Sequence, residues 1–366
     1  MGTLRLLLAI AVVLGHVDGV RYVMTGGENS VQCFYIISGF FISLILDQKY
    51  NKKGDLKLFY SNRFIRIFSV YWFFLALAFA MGLAWRQMSH RGPISLILQN
   101  RAALGARGLV FLVLSNVLLL GQDWTLFLKI SPAHAGLEWT TNFRDSVPLV
   151  SSMLLVPPAW SLGIELSFYG IAPFLTRLRG WMIGLLIAAS LLLRICLHRH
   201  GLDFDPWSYR FFPFEIALFL AGTLSYRLYK RIRERTLSLP WKLFGCGVFP
   251  LILAFQLYDR SGDTFFAAGR LFLYGYLILA LPALFHWTGR IKLDRALGEA
   301  SYPLYLCHVM VLDVVARFGA GASRPWMQAA LTLGISLGIA FLTARYLDEP
   351  IDRFRQLRIK RYHRES

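Results

Sequence analysis

An all-α, polytopic membrane helix bundle is the fold class the sequence predicts, and three observations carry it. The 366-residue chain is 56% hydrophobic and has a mean hydropathy of +0.50, too apolar for a soluble domain. Ten apolar runs approach the length of a membrane span. The basic residues gather in short stretches between those runs, as the positive-inside rule requires. The formal net charge of +18 therefore reads as a topology signal and argues against a nucleic-acid partner.

The first run, 4–24, is followed at once by a second, 30–46, and lacks a small-residue cleavage exit. It is expected to be a retained span and not a signal peptide. Further spans are expected at 67–85, 159–176, 181–197, 211–229, 242–258, 270–288, 301–319 and 327–347. The run LVFLVLSNVLLLG at 109–121 would cover only about 20 Å as a helix, short of a ~30 Å hydrocarbon core.

Charge settles its place. Lys49, Lys52, Lys53, Lys57, Arg63 and Arg66 follow the second span, Lys230, Arg231, Arg233 and Arg235 follow the sixth, and Arg353, Arg355, Arg358, Lys360, Arg361 and Arg364 follow the last. All three clusters lie inside if 109–121 is a short re-entrant or interfacial helix. About ten crossings follow, with both termini cytoplasmic. Residues 1–352 then form one membrane domain and 353–366 a basic cytoplasmic tail. The same count leaves Arg86, Arg91, Arg101 and Arg107 outside, within a substantial external region at 86–158. The four cysteines (Cys33, Cys196, Cys246, Cys307) show no metal spacing and read as small membrane residues. No metal site is expected, and no internal repeat of the transporter kind is visible.

Ionisable side chains inside apolar runs are costly and mark candidate chemistry. Arg5 and His16 in LRLLLAIAVVLGH share a helix face about three turns apart, with His16 roughly 16 Å deeper. Their structural alternatives are a snorkelling anchor for Arg5 and a carbonyl-bonded core imidazole for His16. In SGFFIS (38–43), Ser38 and Gly39 suit close helix packing, and also close approach to a cofactor chain. Arg63 and Arg66 in YSNRFIRIFSVYW are spaced i, i+3 at an inner mouth, where they serve either as topology charge or as a fork for phosphate.

WSLGIELSFY (160–169) places Ser161, Glu165 and Tyr169 in one stripe at i, i+4, i+8, facing a cavity or other protein. SYPLYLCH (301–308) carries a second intramembrane imidazole, His308. In LDEPIDRF (347–354), Glu349-Pro350 is expected to stop the last helix. By these readings the protein has a polar, histidine-containing cavity and an anion-friendly inner mouth.

In chain order, LRLLLAIAVVLGH, SGFFIS, RFIRI, PAWSLGIELSFY, LGEASYPLYLCH and LDEP resemble the acyltransferase 3 family of integral membrane acyltransferases over nearly the whole chain. Ser69 departs from the Pro common at that position, which should alter helix entry. The resemblance implies transfer of an acyl group, usually acetyl, from acyl-coenzyme A to a hydroxyl of a carbohydrate or lipid-linked glycan. It also implies residence in a bacterial cytoplasmic (inner) membrane, with polysaccharide-assembly proteins as possible partners beside the membrane lipid. Carried over, His16, Glu165 and His308 are the catalytic candidates, and Arg5, Arg63 and Arg66, with Ser38 beside them, the coenzyme-binding ones. Two other classes stay open: a transporter or flippase with proton-relay histidines, and a non-catalytic partner in polysaccharide export.

Overall fold

The computed structural model describes residues 1–51, 54–131, 133–259, 265–319 and 324–365; Lys52 and Lys53 of the expected inner cluster lie outside them. Helices form almost every element. The exception among the described residues is a short antiparallel hairpin, β1 (Leu128–Ile130) with β2 (Leu137–Trp139). Among the described residues, six helices are long and apolar enough to cross a membrane by length and composition. They are α2 (Gly26–Lys49), α3 (Asp55–Ser89), α5 (Arg101–Leu118), α7 (Gly180–Arg199), α12 (Ala268–Thr288), and α14 (Pro325–Thr343) with its continuation. Between them stand the shorter or more charged α1 (Gly2–Gly15), α4 (Pro93–Gln99), α6 (Trp160–Leu175), α8 (Phe212–Ile232) and α13 (Lys292–Arg317).

One helix, α7, is inside out relative to a helix of a soluble protein. On α7, Trp181, Leu185 and Leu192 are exposed while Ser190 and Arg194, one turn apart, are buried. A bilayer rewards that arrangement, because lipid takes the apolar face and the polar side chains find partners in protein. Arg194 meets Glu215 of α8 at 2.5 Å and donates to the Ser208 carbonyl at 2.6 Å. Gln32 of α2 donates to the same carboxylate at 3.2 Å and accepts from Tyr274 of α12 at 2.5 Å. This buried network ties four helices at the outer end, the end away from the basic clusters.

α2 and α8 pack backbone against backbone. A Cβ placed on Gly39 would stand 1.9 Å from the Phe219 carbonyl oxygen, and one on Gly222 would stand 2.0 Å from that of Ile36. Two glycines let the backbones touch where larger side chains would hold them apart. The packing reading of Gly39 is therefore its physical role.

Three expectations change. The first span is shorter than 4–24: α1 ends at Gly15 with His16 as its C-cap, because Gly15 presses on Gly27 and Gly19 takes a left-handed φ of +80°. The run 242–258 is broken into α9 (Leu239–Cys246), α10 (Val248–Leu253) and α11 (Phe255–Tyr258), with Gly247 at one break fitted against the Tyr276 hydroxyl. The helix also does not stop at Glu349-Pro350. A π-helical turn at Ala344–Asp348 leads into α15 (Glu349–Glu365). The widened turn accommodates the proline, which sits in the first turn of α15 where its missing N–H costs little.

The region between α3 and α6 folds back on itself. Trp72 donates to the Val117 carbonyl at 2.9 Å, and Tyr71 donates to that of Asn116. The far end of α5 is thus tied to the middle of the 35-residue α3. A bend at Gly105, with φ at +61°, shortens the straight part of α5 further.

Candidate active site

The predicted residues gather in two places, joined by α6. At the outer place, α1 ends beside α13, and the rings of His16 and His308 meet edge to face with centroids 4.9 Å apart. The Nδ1 of His16 lies 2.8 Å from the Val12 carbonyl oxygen. A carbonyl only accepts, so Nδ1 carries the proton and Nε2 of the neutral ring holds a free lone pair. The residue is exposed as a whole. His308 repeats the pattern one shell deeper: it is fully buried, its Nδ1 donates to Tyr305 O at 2.8 Å, and its Nε2 has no hydrogen-bond partner among the described residues.

Around the two rings the structure sets further polar groups. Tyr305 and Ser161 share a hydrogen bond of 2.7 Å, which ties the start of α6 to α13. Arg210 is held by Asp205 at 2.6 and 3.1 Å, stacks on Trp160 and Tyr209 at 4.3 and 4.4 Å, and lies within electrostatic reach of His16. Its place in a loop between two spans, far from either histidine in sequence, hid it.

A cavity of about 410 Å³ lies at this outer end, walled by Gly26, Gly27, Glu28, Asn29, Gln256 and Arg270. Glu28 and Arg270 pair across it at 2.5 Å. Gly27 belongs to both places: a Cβ there would stand 4.0 Å from His16 Cε1. The wall between cavity and imidazole is one glycine thick.

The inner place is built on the first turns of α3 and the stripe of α6. Glu165 accepts from Ser38 at 2.5 Å and from the Tyr169 hydroxyl. Arg63, only 8% exposed, sits over the Tyr169 ring at 5.5 Å. Arg5 and Arg66 are half-buried and lie within electrostatic reach of each other and of Glu165, Tyr169 and Asp348. The side chains of Arg5, Arg63 and Arg66 make no hydrogen bond or ion pair among the described residues. Glu165 therefore belongs with the arginines. No contact among the described residues links it to His16, so it does not orient that ring directly.

Among the described residues no group of three or more His, Cys, Asp or Glu is placed to hold a metal ion. The molecule so defined is a membrane-embedded helical protein with an accessible imidazole towards one face and an arginine chamber towards the other. Residues 2–345 match the family model Acyl_transf_3, described as an acyltransferase domain, and the chain belongs to that acyltransferase family. It is similar to the exopolysaccharide production protein ExoZ of Rhizobium meliloti (strain 1021), with 26% identity over 324 residues, 86% of this chain and 87% of that protein. No solved structure matches the chain.

Proposed function

We propose that the protein is an O-acyltransferase of a bacterial cytoplasmic membrane, moving an acyl group, acetyl foremost, from acyl-coenzyme A to a carbohydrate hydroxyl. The observation that carries this reading is the accessible His16 ring with Nε2 as its free lone pair. His16 Nε2 takes the proton of the acceptor hydroxyl as its oxygen attacks the thioester carbonyl. The carbon–sulfur bond breaks, and the proton passes to the departing thiolate of coenzyme A. General-base help of this kind is worth about 10²–10⁴ in rate. An acyl-His16 carrier in two steps uses the same lone pair.

The donor comes from the cytoplasm. Arg63 and Arg66, with Arg5 deeper, offer charge-assisted bonds to its phosphates, and Ser38 and Glu165 line the way outward. The pantetheine arm extends about 15–20 Å, which matches the ~16 Å of helical rise between Arg5 and His16. His308 supports His16 from the buried side. The outer cavity beside Gly27 supports acceptor entry from outside, with paired acid, base and amide groups suited to a neutral sugar. The exopolysaccharide role named for the similar rhizobial protein favours a surface glycan as acceptor, and with it contact with polysaccharide-assembly proteins. We place both termini in the cytoplasm with ten crossings, and read α5 as re-entrant because it ends at mid-α3.

His16→Ala tests the reading. Transfer of radiolabelled acetyl from acetyl-coenzyme A to cell-surface glycan should fall at least about 10²-fold, while the protein still inserts and still binds coenzyme A. Full transfer by the variant would remove His16 from the chemistry, and with it the assignment.

A further inference from the structure

The segment after the last span is a helix docked on the inner chamber. Arg358 of α15 donates to Asn62 and Ser61 of α3 at 2.7 and 3.0 Å, and Asn62 in turn donates to the Tyr50 hydroxyl at 3.0 Å. Lys49, at the end of α2, bonds Gln356 at 3.1 Å. These contacts turn Arg355 inward. It is 5% exposed and gives one nitrogen to Asp352 at 2.8 Å, while its Nε is buried with no partner among the described residues. The same holds for Nη2 of Arg63. Arg355 lies within electrostatic reach of both Arg63 and Arg66, and Lys49 within reach of all three.

The chamber therefore sets Arg5, Lys49, Arg63, Arg66 and Arg355 together around Glu165, Asp348 and Asp352, with Glu299 also within reach of Arg66. Burying guanidinium nitrogens without acceptors, next to like charges, is unfavourable unless an anion joins them. Arg355 and Arg63 both lie within reach of Tyr50, next in sequence to Lys49, whereas Arg66 and Arg5 lie within reach of each other and of Asp348.

We propose that α15 is a wall of the donor site and that Arg355, with Arg63 and Lys49, forms a subsite for a phosphate monoester, taken by the 3′-phosphate of coenzyme A. The inference rests on the acyl-coenzyme A reading above. A thioester pointing at His16 leaves the ribose end of the nucleotide last at the rim, and the monoester is on that ribose. The pyrophosphate then falls to Arg66 and Arg5.

The same chemistry, a phosphate on buried arginines, would suit an anionic lipid headgroup, and the test separates the two. Binding of coenzyme A and of 3′-dephospho-coenzyme A is measured by calorimetry for wild type, Arg355→Gln and Arg355→Lys in phosphatidylcholine nanodiscs, with and without phosphatidylglycerol. Wild type should prefer coenzyme A about ten- to hundredfold, the worth of charge-assisted bonds to one phosphate. Arg355→Gln should lose that preference yet bind the dephospho form as wild type does, which also reports an intact fold, and Arg355→Lys should retain part of it. A preference that survives in Arg355→Gln overturns the subsite, as does equal weakening for both nucleotides. A loss seen only when phosphatidylglycerol is present assigns the arginine to lipid and overturns it as well. If wild type binds neither nucleotide, the donor reading itself falls, and the subsite falls with it.

Discussion

A histidine at the end of a helix can spend its ring protons on the backbone or on chemistry, and His16 divides them. Val12 holds Nδ1–H, which leaves the lone pair of Nε2 free in the neutral ring. Asp294 shows the complementary use of a carboxylate. It stands at the free N-terminus of α1, accepting the amides of Gly2 and Thr3 at 2.8 and 2.9 Å and the Thr3 hydroxyl at 2.8 Å. α1 has no side-chain cap of its own, so a residue from α13 supplies both the acceptors and the negative charge that the helix dipole favours. Burial pushes the Asp294 carboxyl up, but these bonds and the Met1 amine together pull it from 3.8 down to about 2. A folded pKa below the unfolded one gives stability that is complete above the unfolded value and lost as pH falls through the folded one. Asp294→Asn should therefore cost about 2 kcal/mol at pH 7. The deficit should shrink towards zero as the pH approaches about 2. Thermal unfolding in detergent at neutral and strongly acid pH checks this, and an equal deficit at both would assign the effect to shape instead of charge.

At the scale of helices, backbone contact between α2 and α8 positions Ser38 towards Glu165, because Gly39 occupies the adjoining face of the same turn. Gly39→Leu would drive a side chain into the Phe219 carbonyl, a strain worth about 1–3 kcal/mol or more when neither backbone can yield. The variant should unfold at lower temperature and lose donor binding along with stability; a thermal midpoint equal to wild type would show that the two helices can separate without harm. α1 makes a related point. A full-length first span would bury His16 mid-helix among neighbours, whereas ending at Gly15 leaves the imidazole at an opening. The continuity of α14 into α15 likewise converts a stretch of basic residues into a wall.

Across the whole molecule the two chambers lie at opposite ends of α1, and under the proposed function donor and acceptor would not compete for one entrance. That division requires the termini and the arginine chamber to share a side. Fluorescent protein fused after residue 366 should shine, alkaline phosphatase fused there should be inactive, and phosphatase inserted in the 200–206 loop should be active. The reverse pattern would place the arginines outside, where coenzyme A is not made. The buried Arg194–Glu215 pair and its partners hold the outer ends together around the cavity, and a pair so enclosed is costly to break singly.

Composition and charge spacing were enough to place this chain in a bilayer as a helix bundle, since an apolar run of span length has few other stable states. Ordered motifs sufficed for the acyltransferase family and for naming His16, Glu165, His308, Ser38 and the three arginines as candidates. Spacing along one helix could show that Arg5 shares a face with His16, or that Ser161, Glu165 and Tyr169 form a stripe. It could not show that Glu165 turns to the arginines while His308 turns to His16, because which helix meets which face depends on packing between residues more than a hundred positions apart. Arg210, Arg355 and the glycine-thin wall at Gly27 were illegible for the same reason. A loop arginine, a tail arginine and a glycine acquire their meaning only from what the folded chain sets beside them.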